Sequence, residues 1–324
     1  MKFKLFLCIL SLFINYSINA QGLIFDTISF NQQNEFPIER AGLPDNFSLE
    51  MYLPYLYPQT GSTCVAMSIA LARTIMYAKS MGFRDTKTIT QNQMSPYFIY
   101  YLGREELDYA CNKGMNPVIA LTIAQKIGFE KFSNIEYPNY WPFTKEFLCP
   151  KSFDFLPPEK QNHLKNAFRY RIKDFYVTKS VAGVKTALSK GYPVIVAMQI
   201  PSSFESCTTN YWKSQVGENR SNVVGGHAMV AIGYDDNIDG GCFRIANSWG
   251  VNWGENGKIW IPYNEFQYWL DGAYLMIPNA ISYSLDNNNG IKNHKAPTNR
   301  IFKANEFKGK FDFNNTDYVH LFDN

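Results

Sequence analysis

The sequence predicts an α+β protein with a helical N-terminal half, an antiparallel, barrel-like C-terminal half and a cleft between them. Two observations lead to this fold class. Apolar residues recur at helical spacing between residues 64 and 128. Beyond residue 192, short segments rich in β-branched and aromatic residues are bounded by Gly, Pro, Asn or Asp. The 324 residues, 46% hydrophobic and 18% charged, are ample for a buried core and are not typical of a disordered chain.

The helical half contains three predicted helices. The first begins near Cys64, where small polar residues give way to apolar residues spaced by three and four, and Gly82 ends it. Residues 95–107 and 116–128 have the same character, and Pro117 stands near the first turn of the last helix. We therefore expect the N-terminal half to be mostly helical, with one helix that starts near a cysteine.

The second half contains four predicted strands, over residues 192–200, 227–235, 242–250 and 257–263. A short helix over residues 181–191 precedes the first of them. There is no internal repeat. We expect these strands to form an antiparallel sheet or barrel, and a helical half followed by a β half is an α+β layout.

The N-terminus has the layout of a secretory signal peptide. Lys2 and Lys4 precede an apolar run over residues 5–14, which is too short to span a bilayer, and small or polar residues continue to Ala20. We predict cleavage after Ala20 and export to a periplasm or to the medium, without stable membrane insertion. A net charge of +3 on this length gives no reason to expect nucleic acid as a partner.

The chain is expected to divide into four segments. These are the signal peptide 1–20, a short extended lead-in 21–41, one domain 42–278 and a polar C-terminal extension 279–324. The extension is rich in Asn and Lys and has no hydrophobic periodicity, which is typical of a peripheral or disordered segment.

The cysteine count raises the question of a free thiol. Loss of Cys8 with the signal peptide leaves five of the six cysteines, and an odd count in an oxidising compartment leaves one thiol free or pairs it between chains. A helix N-terminus favours the thiolate, and small residues before Cys64 would leave its sulfur reachable. Cys64 is therefore the candidate nucleophile.

A thiolate nucleophile also needs a base and a group that orients the base. Three of the histidines, His163, His294 and His320, lie in polar stretches typical of a solvated surface. His227 instead follows two glycines at the start of an apolar strand, where another backbone or a ligand can approach closely. Asn247 ends the next strand, so neighbouring strands would bring its amide to His227.

Acyl transfer by a thiolate develops an oxyanion, which fixed donors must meet. The backbone N–H of Cys64 is one candidate, and the side-chain amide of Gln59 is a second. Trp249 follows Asn247 by two residues and would cover the bond between Asn247 and His227 from water.

These stretches resemble the papain-like cysteine peptidases. PQTGSTCVAMS resembles the nucleophile segment of that family, GGHAMVAIGYDD resembles its histidine strand, and NSWGVNWGENG matches its Asn-Ser-Trp-Gly signature without a gap. The resemblance spans roughly residues 42–278 and is similar at its start to the bacterial branch of the family. It implies a papain-like fold, a monomer, peptide or protein substrates, and no cofactor or metal.

The resemblance also implies a role for each site residue. Cys64 would be the nucleophile, His227 the general base and acid, Asn247 the orienting amide and Gln59 an oxyanion donor. The residues implied to contact substrate are Gly114, Met115, Ala197, Gly226, Ala228 and Trp249. Because this lining is apolar, we expect a hydrophobic side chain two residues before the scissile bond.

The resemblance further implies disulfides. Cys111 and Cys149 occupy places similar to one disulfide region of the family. Cys207 and Cys242 are then left for each other, although Cys242 is equally compatible with a buried free thiol in its strand.

The sequence departs from the family's pattern at three points. Gln59 stands five residues before Cys64 instead of six, so the donor either reaches over a tighter loop or is impaired. Val65 replaces the usual tryptophan. About 20 residues separate Ala20 from the domain start, which leaves no room for the family's long helical inhibitory propeptide, and latency by that route is not expected.

Two alternatives to an active peptidase follow from these residues. One is a catalytically impaired papain-fold module that binds proteins, supported by the short loop at Gln59. The other is a transglutaminase-like acyl transferase, which is disfavoured because Asn247 lies within the peptidase signature.

Overall fold

The computed structural model describes residues 22–39, 42–104, 108, 110–135 and 157–279. The predicted signal peptide, the C-terminal extension from residue 280 and Cys149 lie outside the described residues. Within the described ranges, no helix is long and apolar enough to cross a membrane.

Before residue 170 the described elements are helices, apart from the short strand β1. The helices are α1 Thr27–Asn31, α2 Cys64–Met81, α3 Thr86–Gln91, α4 Pro96–Gly103, α5 Pro117–Lys126, α6 Pro157–Phe168, α7 Val181–Ser189, α8 Ser202–Glu205 and α9 Tyr263–Trp269. The strands are β1 Asn46–Ser48, β2 Ile172–Thr178, β3 Val194–Ile200, β4 Gly225–Asp235, β5 Cys242–Ala246, β6 Lys258–Pro262 and β7 Leu270–Pro278. The α+β class predicted from sequence is confirmed.

Helix α2 is the centre of the helical half. It begins at Cys64, as predicted, and ends where Gly82 adopts a φ of +70° and donates its N–H to the carbonyl of Lys79. Most of its side chains are buried, because α2 packs against α4 and α5 on one side and against β4 on the other. The helix therefore carries its first residue to the junction between the two halves.

The predicted helices and strands are present with ends shifted by a few residues, and three sheet strands, β1, β2 and β7, were not predicted. Strands β2 and β7 pair with each other over most of their length. Lys173 and Asp174 interrupt the hydrophobic pattern at the start of β2, and Asp271 and Gly272 do the same in β7. Pairing with a neighbour, rather than local pattern, stabilises these two segments.

The strands form one antiparallel sheet in the order β2-β7-β3-β4-β5-β6, with β1 added to β4. The sheet is antiparallel, as predicted, but it is open and not a closed barrel, because no pairing among the described residues joins the two edge strands β2 and β6. The register places Ala197 of β3 opposite both Ala228 of β4 and Gly272 of β7. His227 lies beside this pair, near the start of β4, where the sheet meets α2.

The lead-in before residue 42 is not uniformly extended. Asp26 accepts a hydrogen bond from the N–H of Ile28 and caps the short helix α1. On either side of α1 the backbone forms parallel bridges, from Leu23 to Met115 and from Glu35 to Val177. The lead-in therefore contacts the helical half at one end and the edge of the sheet at the other.

Candidate active site

Cys64 stands at the N-terminus of α2 and is completely buried. The preceding loop is fixed by a hydrogen bond from the N–H of Ser62 to the carbonyl of Cys111. Gly61 in this loop has a φ of +52°, and a Cβ there would lie 2.6 Å from the same carbonyl oxygen. The loop therefore needs glycine at this position to place the thiol.

Burial raises the pKa of the Cys64 thiol to about 12. Backbone N–H groups act in the opposite direction and favour the thiolate; they belong to Ala228, Val65, Gly22 and Cys64 itself. The groups of Cys64 and Val65 are those of the helix N-terminus, whereas that of Ala228 comes from β4. The sulfur therefore lies at the meeting point of the two halves, and in this covered state it is a neutral thiol.

His227 is completely buried and its imidazole bonds to Asn247 across 2.7 Å, from Nε2 to Oδ1. The N–H of Ser248 also donates to Asn247 Oδ1 at 2.7 Å, which fixes this oxygen as the acceptor. His227 Nε2 therefore carries a proton, and neutral imidazole has its lone pair on Nδ1. Nδ1 makes no hydrogen bond to any described residue and is available to accept a proton.

Burial lowers the pKa of His227 to about 4, and the bond to Asn247 opposes this shift. The indole of Trp249 stacks on the imidazole, with ring centroids 4.5 Å apart and planes inclined by 24°. Trp249 itself is only 5% exposed and packs edge-on against Trp253. Trp249 therefore covers one face of the imidazole that bonds to Asn247.

Gln59 is joined to this group through Ser248. The Gln59 N–H donates to the Ser248 carbonyl at 2.6 Å, and the Ser248 hydroxyl donates to Gln59 Oε1 at 2.7 Å. The remaining end of the amide, Nε2, donates to the carbonyl of Gly61 at 2.8 Å. The shorter loop therefore still brings Gln59 to the site, with one Nε2 hydrogen engaged by the loop and a second left for another acceptor.

Two of the residues predicted to contact substrate, Met115 and Gly226, lie on either side of residues 22–24 of the lead-in. Met115 donates its N–H to the carbonyl of Gly22 at 2.9 Å and accepts from the N–H of Ile24 at 3.1 Å. On the opposite side, the carbonyl of Gly226 accepts from Leu23 at 3.4 Å, and a Cβ at Gly226 would contact the Leu23 side chain. The predicted groove is therefore occupied by the chain's own backbone.

The other predicted groove residues lie in the same region. Gly114 has a φ of +75°, and a Cβ there would lie 2.4 Å from the Gly22 carbonyl oxygen. Ala197 and Ala228 are fully buried neighbours on β3 and β4. Next to Ala197 in the sheet, Gly272 contacts the ring of Phe30 so closely that a Cβ would lie 2.4 Å from it.

The predicted disulfide between Cys207 and Cys242 is wrong, because both are free thiols. The sulfur of Cys242 points inward and donates to the carbonyl of Ile238 at 3.3 Å, while that of Cys207 faces Thr209 at 3.5 Å. Cys111 is disulfide-bonded, and its predicted partner Cys149 lies outside the described residues, so that pairing stays a prediction.

Sequence reasoning missed three contributors to the site. Ser248 stands inside the recognised signature, but its role depends on contact with a residue 189 positions away. Gly22 and Leu23 carry no chemical signature and were assigned to a lead-in. Only the serine, which directly follows Asn247, had a signal in the sequence that pointed to it.

Solved structures define the class of this fold. Xylellain, a cysteine protease from Xylella fastidiosa, superposes with a TM-score of 0.62 at 22% identity, covering 80% of this chain and 96% of that one. Procathepsin B from Trypanosoma congolense superposes with a TM-score of 0.63 at 17% identity, covering 81% and 87%. The fold is therefore that of papain-like proteins.

The sequence comparisons identify the family. The family profile described as papain family cysteine protease matches residues 102–273. The chain is 28% identical over 214 residues to an uncharacterized peptidase C1-like protein of Acanthamoeba polyphaga mimivirus, covering 63% of this chain and 62% of the relative. It is 27% identical over 229 residues to a cathepsin B-like protein of Giardia intestinalis, covering 68% and 69%. The chain belongs to the papain family of cysteine proteases.

Proposed function

We propose that this protein is an exported cysteine peptidase that hydrolyses peptide bonds through a thioester at Cys64. The observation that carries the proposal is the arrangement around His227: its Nε2 bonds to Asn247, its Nδ1 is unprotonated, and a thiol stands at a helix N-terminus beside the next residue of β4. Family membership supports the same reaction class.

In the proposed acylation, His227 Nδ1 accepts the thiol proton and the Cys64 sulfur attacks the carbonyl carbon of the scissile bond. The carbonyl oxygen gains negative charge, which the backbone N–H of Cys64 and the free hydrogen of the Gln59 amide stabilise. The imidazolium then protonates the leaving amine as the C–N bond breaks.

Deacylation reverses these roles. His227 accepts a proton from water, and the resulting hydroxide attacks the thioester carbonyl. The C–S bond breaks, the carboxylic acid product leaves, and the Cys64 thiol is restored. Asn247 holds the imidazole plane throughout, because rotation would break a buried hydrogen bond that Trp249 shields from water.

Export is the second part of the proposal, and it depends on the layout of residues 1–20. It predicts that the chain secreted by its host begins at Gln21. Detection of the host protein in the cytoplasm with residues 1–20 still attached would contradict export and leave the peptidase proposal untouched.

The peptidase is tested by labelling with an epoxide-type thiol-peptidase inhibitor under reducing conditions, followed by mass mapping of the adduct. We expect the adduct on Cys64, its absence in His227→Ala, and loss of peptide hydrolysis in both Cys64→Ala and His227→Ala. Cys207→Ser is the matched thiol control and should behave like the wild type. Absence of labelling and of hydrolysis in the wild type would favour a binding module, the alternative considered from the sequence.

A further inference from the structure

We propose that a cavity beside α2 is a binding site for a small neutral molecule, a single aromatic ring that carries a carbonyl oxygen, and that Asn247 donates a hydrogen bond to this oxygen. The site is separate from the predicted groove, and its occupant acts on the residues that hold Gln59. This action on catalysis rests on the proposed peptidase function. The binding itself does not, because it depends only on the shape and chemistry of the cavity.

The cavity lies where the segment before the nucleophile loop passes over α2. Residues 54–58, which lead directly into Gln59, form part of its lining, and one face of α2 that includes Met67 and Leu71 forms another part. Residues 246–248, at and after the end of β5, contribute the rest together with residues near the start of α4. The lining found among the described residues includes neither the nucleophile nor any residue predicted to contact substrate.

The lining favours a neutral, aromatic ligand. It contains three prolines, three tyrosines and two methionines, and none of its described residues is Asp, Glu, Lys, Arg or His. Burial raises the pKa of Tyr57 to about 12, so this phenol stays neutral at physiological pH. Ring faces and flexible thioether side chains pack well against an aromatic ring, whereas an ion would lose its hydration here without gaining a partner of opposite charge.

The size of the cavity limits the ligand to one ring. Its volume is about 70 Å³, and an engineered apolar cavity of about 150 Å³ holds benzene. Met67 and Leu71 are only half-buried and Tyr55 is 37% exposed, so one side of the lining reaches solvent. A ring therefore fits with one edge towards this opening.

Asn247 supplies the polar group that fixes the ligand's orientation. Its Oδ1 accepts hydrogen bonds from His227 Nε2 and from the N–H of Ser248. Its Nδ2, on the other side of the amide, is buried and makes no hydrogen bond to any described residue. The Thr74 hydroxyl, by contrast, already has both a donor and an acceptor as partners. Because a buried amide N–H without an acceptor is costly, a ligand oxygen at Nδ2 is stabilising.

The lining is connected to Gln59 in two ways. Residues 54–58 precede it directly in the chain, and Ser248 holds both its backbone and its side chain, at 2.6 and 2.7 Å. A ligand that contacts both parts of the lining changes how firmly the Gln59 amide is held. We expect saturating ligand to change kcat by about twofold or more with KM little altered, because the groove is untouched.

The test uses benzamide as the probe and the full chain labelled with carbon-13 at its methionine methyl groups. Met67 and Met94 line the cavity, Met115 lies in the predicted groove, and Met276 lies in the sheet on β7. We expect the methyl signals of Met67 and Met94 to shift with a Kd of about 1 mM, and those of Met115 and Met276 to stay in place. Benzoate has the same shape and a negative charge, and it should bind about tenfold more weakly or worse.

Variants assign the site. Ala70→Leu fills the cavity and should abolish the shift that benzamide causes at Met94, and Leu71→Trp does the same from a half-buried position that tolerates a larger side chain. Ile119→Trp is the matched control, because Ile119 is 46% exposed and lies outside the lining. Asn247→Ala should weaken benzamide binding by about tenfold through loss of the Nδ2 donor.

Each outcome decides one part of the proposal. A shift of Met115 alone, or no shift at all, would overturn the site. Equal affinities for benzamide and benzoate, or an unchanged affinity in Asn247→Ala, would overturn the ligand chemistry, and binding with unchanged kcat would overturn the action on Gln59. Shifts at Met67 and Met94 in a chain that hydrolyses no peptide would support the site and contradict the proposed peptidase.

Discussion

The Ser248 hydroxyl donates a 2.7 Å hydrogen bond to Gln59 Oε1, and the Ser248 carbonyl accepts a 2.6 Å hydrogen bond from the Gln59 backbone. Through this pair, the segment after β5 that contains Asn247 and Ser248 is connected to the loop that precedes Cys64. It gives a physical account of how a glutamine one position closer than usual to the nucleophile still reaches the site.

Ser248→Ala should loosen the Gln59 amide without removing it. We expect kcat to fall by about tenfold with KM little changed, whereas Gln59→Ala should lower kcat by about 10²-fold because a whole oxyanion donor is lost. The double variant should be no slower than Gln59→Ala, since the serine acts through the glutamine. Steady-state kinetics on a peptide substrate measures all three, and a fully additive double variant would contradict the positioning role.

The buried His227 should make the folded chain sensitive to acid. Its pKa is about 4 in the folded chain and near its ordinary 6.5 when unfolded, so between these values only the unfolded chain binds the proton. The free energy of unfolding should therefore rise with pH across this window. As the pH falls from 6.5 towards 4, the free energy of unfolding should decrease by roughly 3 kcal/mol.

His227→Gln removes this proton linkage and should flatten the stability profile over that window. The measurement is urea unfolding of the full chain at a series of pH values. Parallel profiles for the wild type and the variant would show that the imidazole is not held neutral by burial.

Met115 is expected to set the preference for the substrate side chain two residues before the scissile bond. Met115→Glu places a carboxylate in an apolar pocket and should shift cleavage from hydrophobic towards basic side chains at that position. Ile119→Glu is the matched control, because Ile119 lies close by in sequence but is 46% exposed. A peptide library gives the profiles, and an unchanged profile for Met115→Glu would remove Met115 from the pocket.

Phe204 supports the aromatic cover of the site. It is fully buried and its ring contacts Trp212, Trp249 and Trp253 at centroid distances of 4.9, 5.9 and 5.1 Å. Phe204→Ala should lower the free energy of unfolding by about 3–5 kcal/mol, because a large cavity opens among these rings.

The control for this prediction is Val216→Ala, at a fully exposed side chain, which should change stability by less than about 0.5 kcal/mol. Chemical denaturation of both variants provides the comparison. A small effect at Phe204 would mean that the tryptophans close over the vacated space.

Much of the site was predictable because its members carry local signals. A helix start at Cys64 followed from polar residues giving way to an apolar period, and Gly82 marked its end. The His227 and Asn247 strands were recognisable as short apolar segments ending at turn residues. The open edges of the sheet, the free state of Cys207 and Cys242, and strands β1, β2 and β7 were beyond such reasoning, because each depends on which distant segments pair.

By itself, then, the sequence determined the class of fold, the family resemblance and the identity of the chemical groups, since these depend on residue type and short-range spacing. The tertiary structure alone decided that Ser248 orients Gln59 and that Gly22 covers the Cys64 sulfur. Both are contacts between segments far apart in the chain, and one is made by backbone groups that every residue possesses. Such contacts leave no periodic or chemical pattern in the sequence, so only the folded chain reveals them.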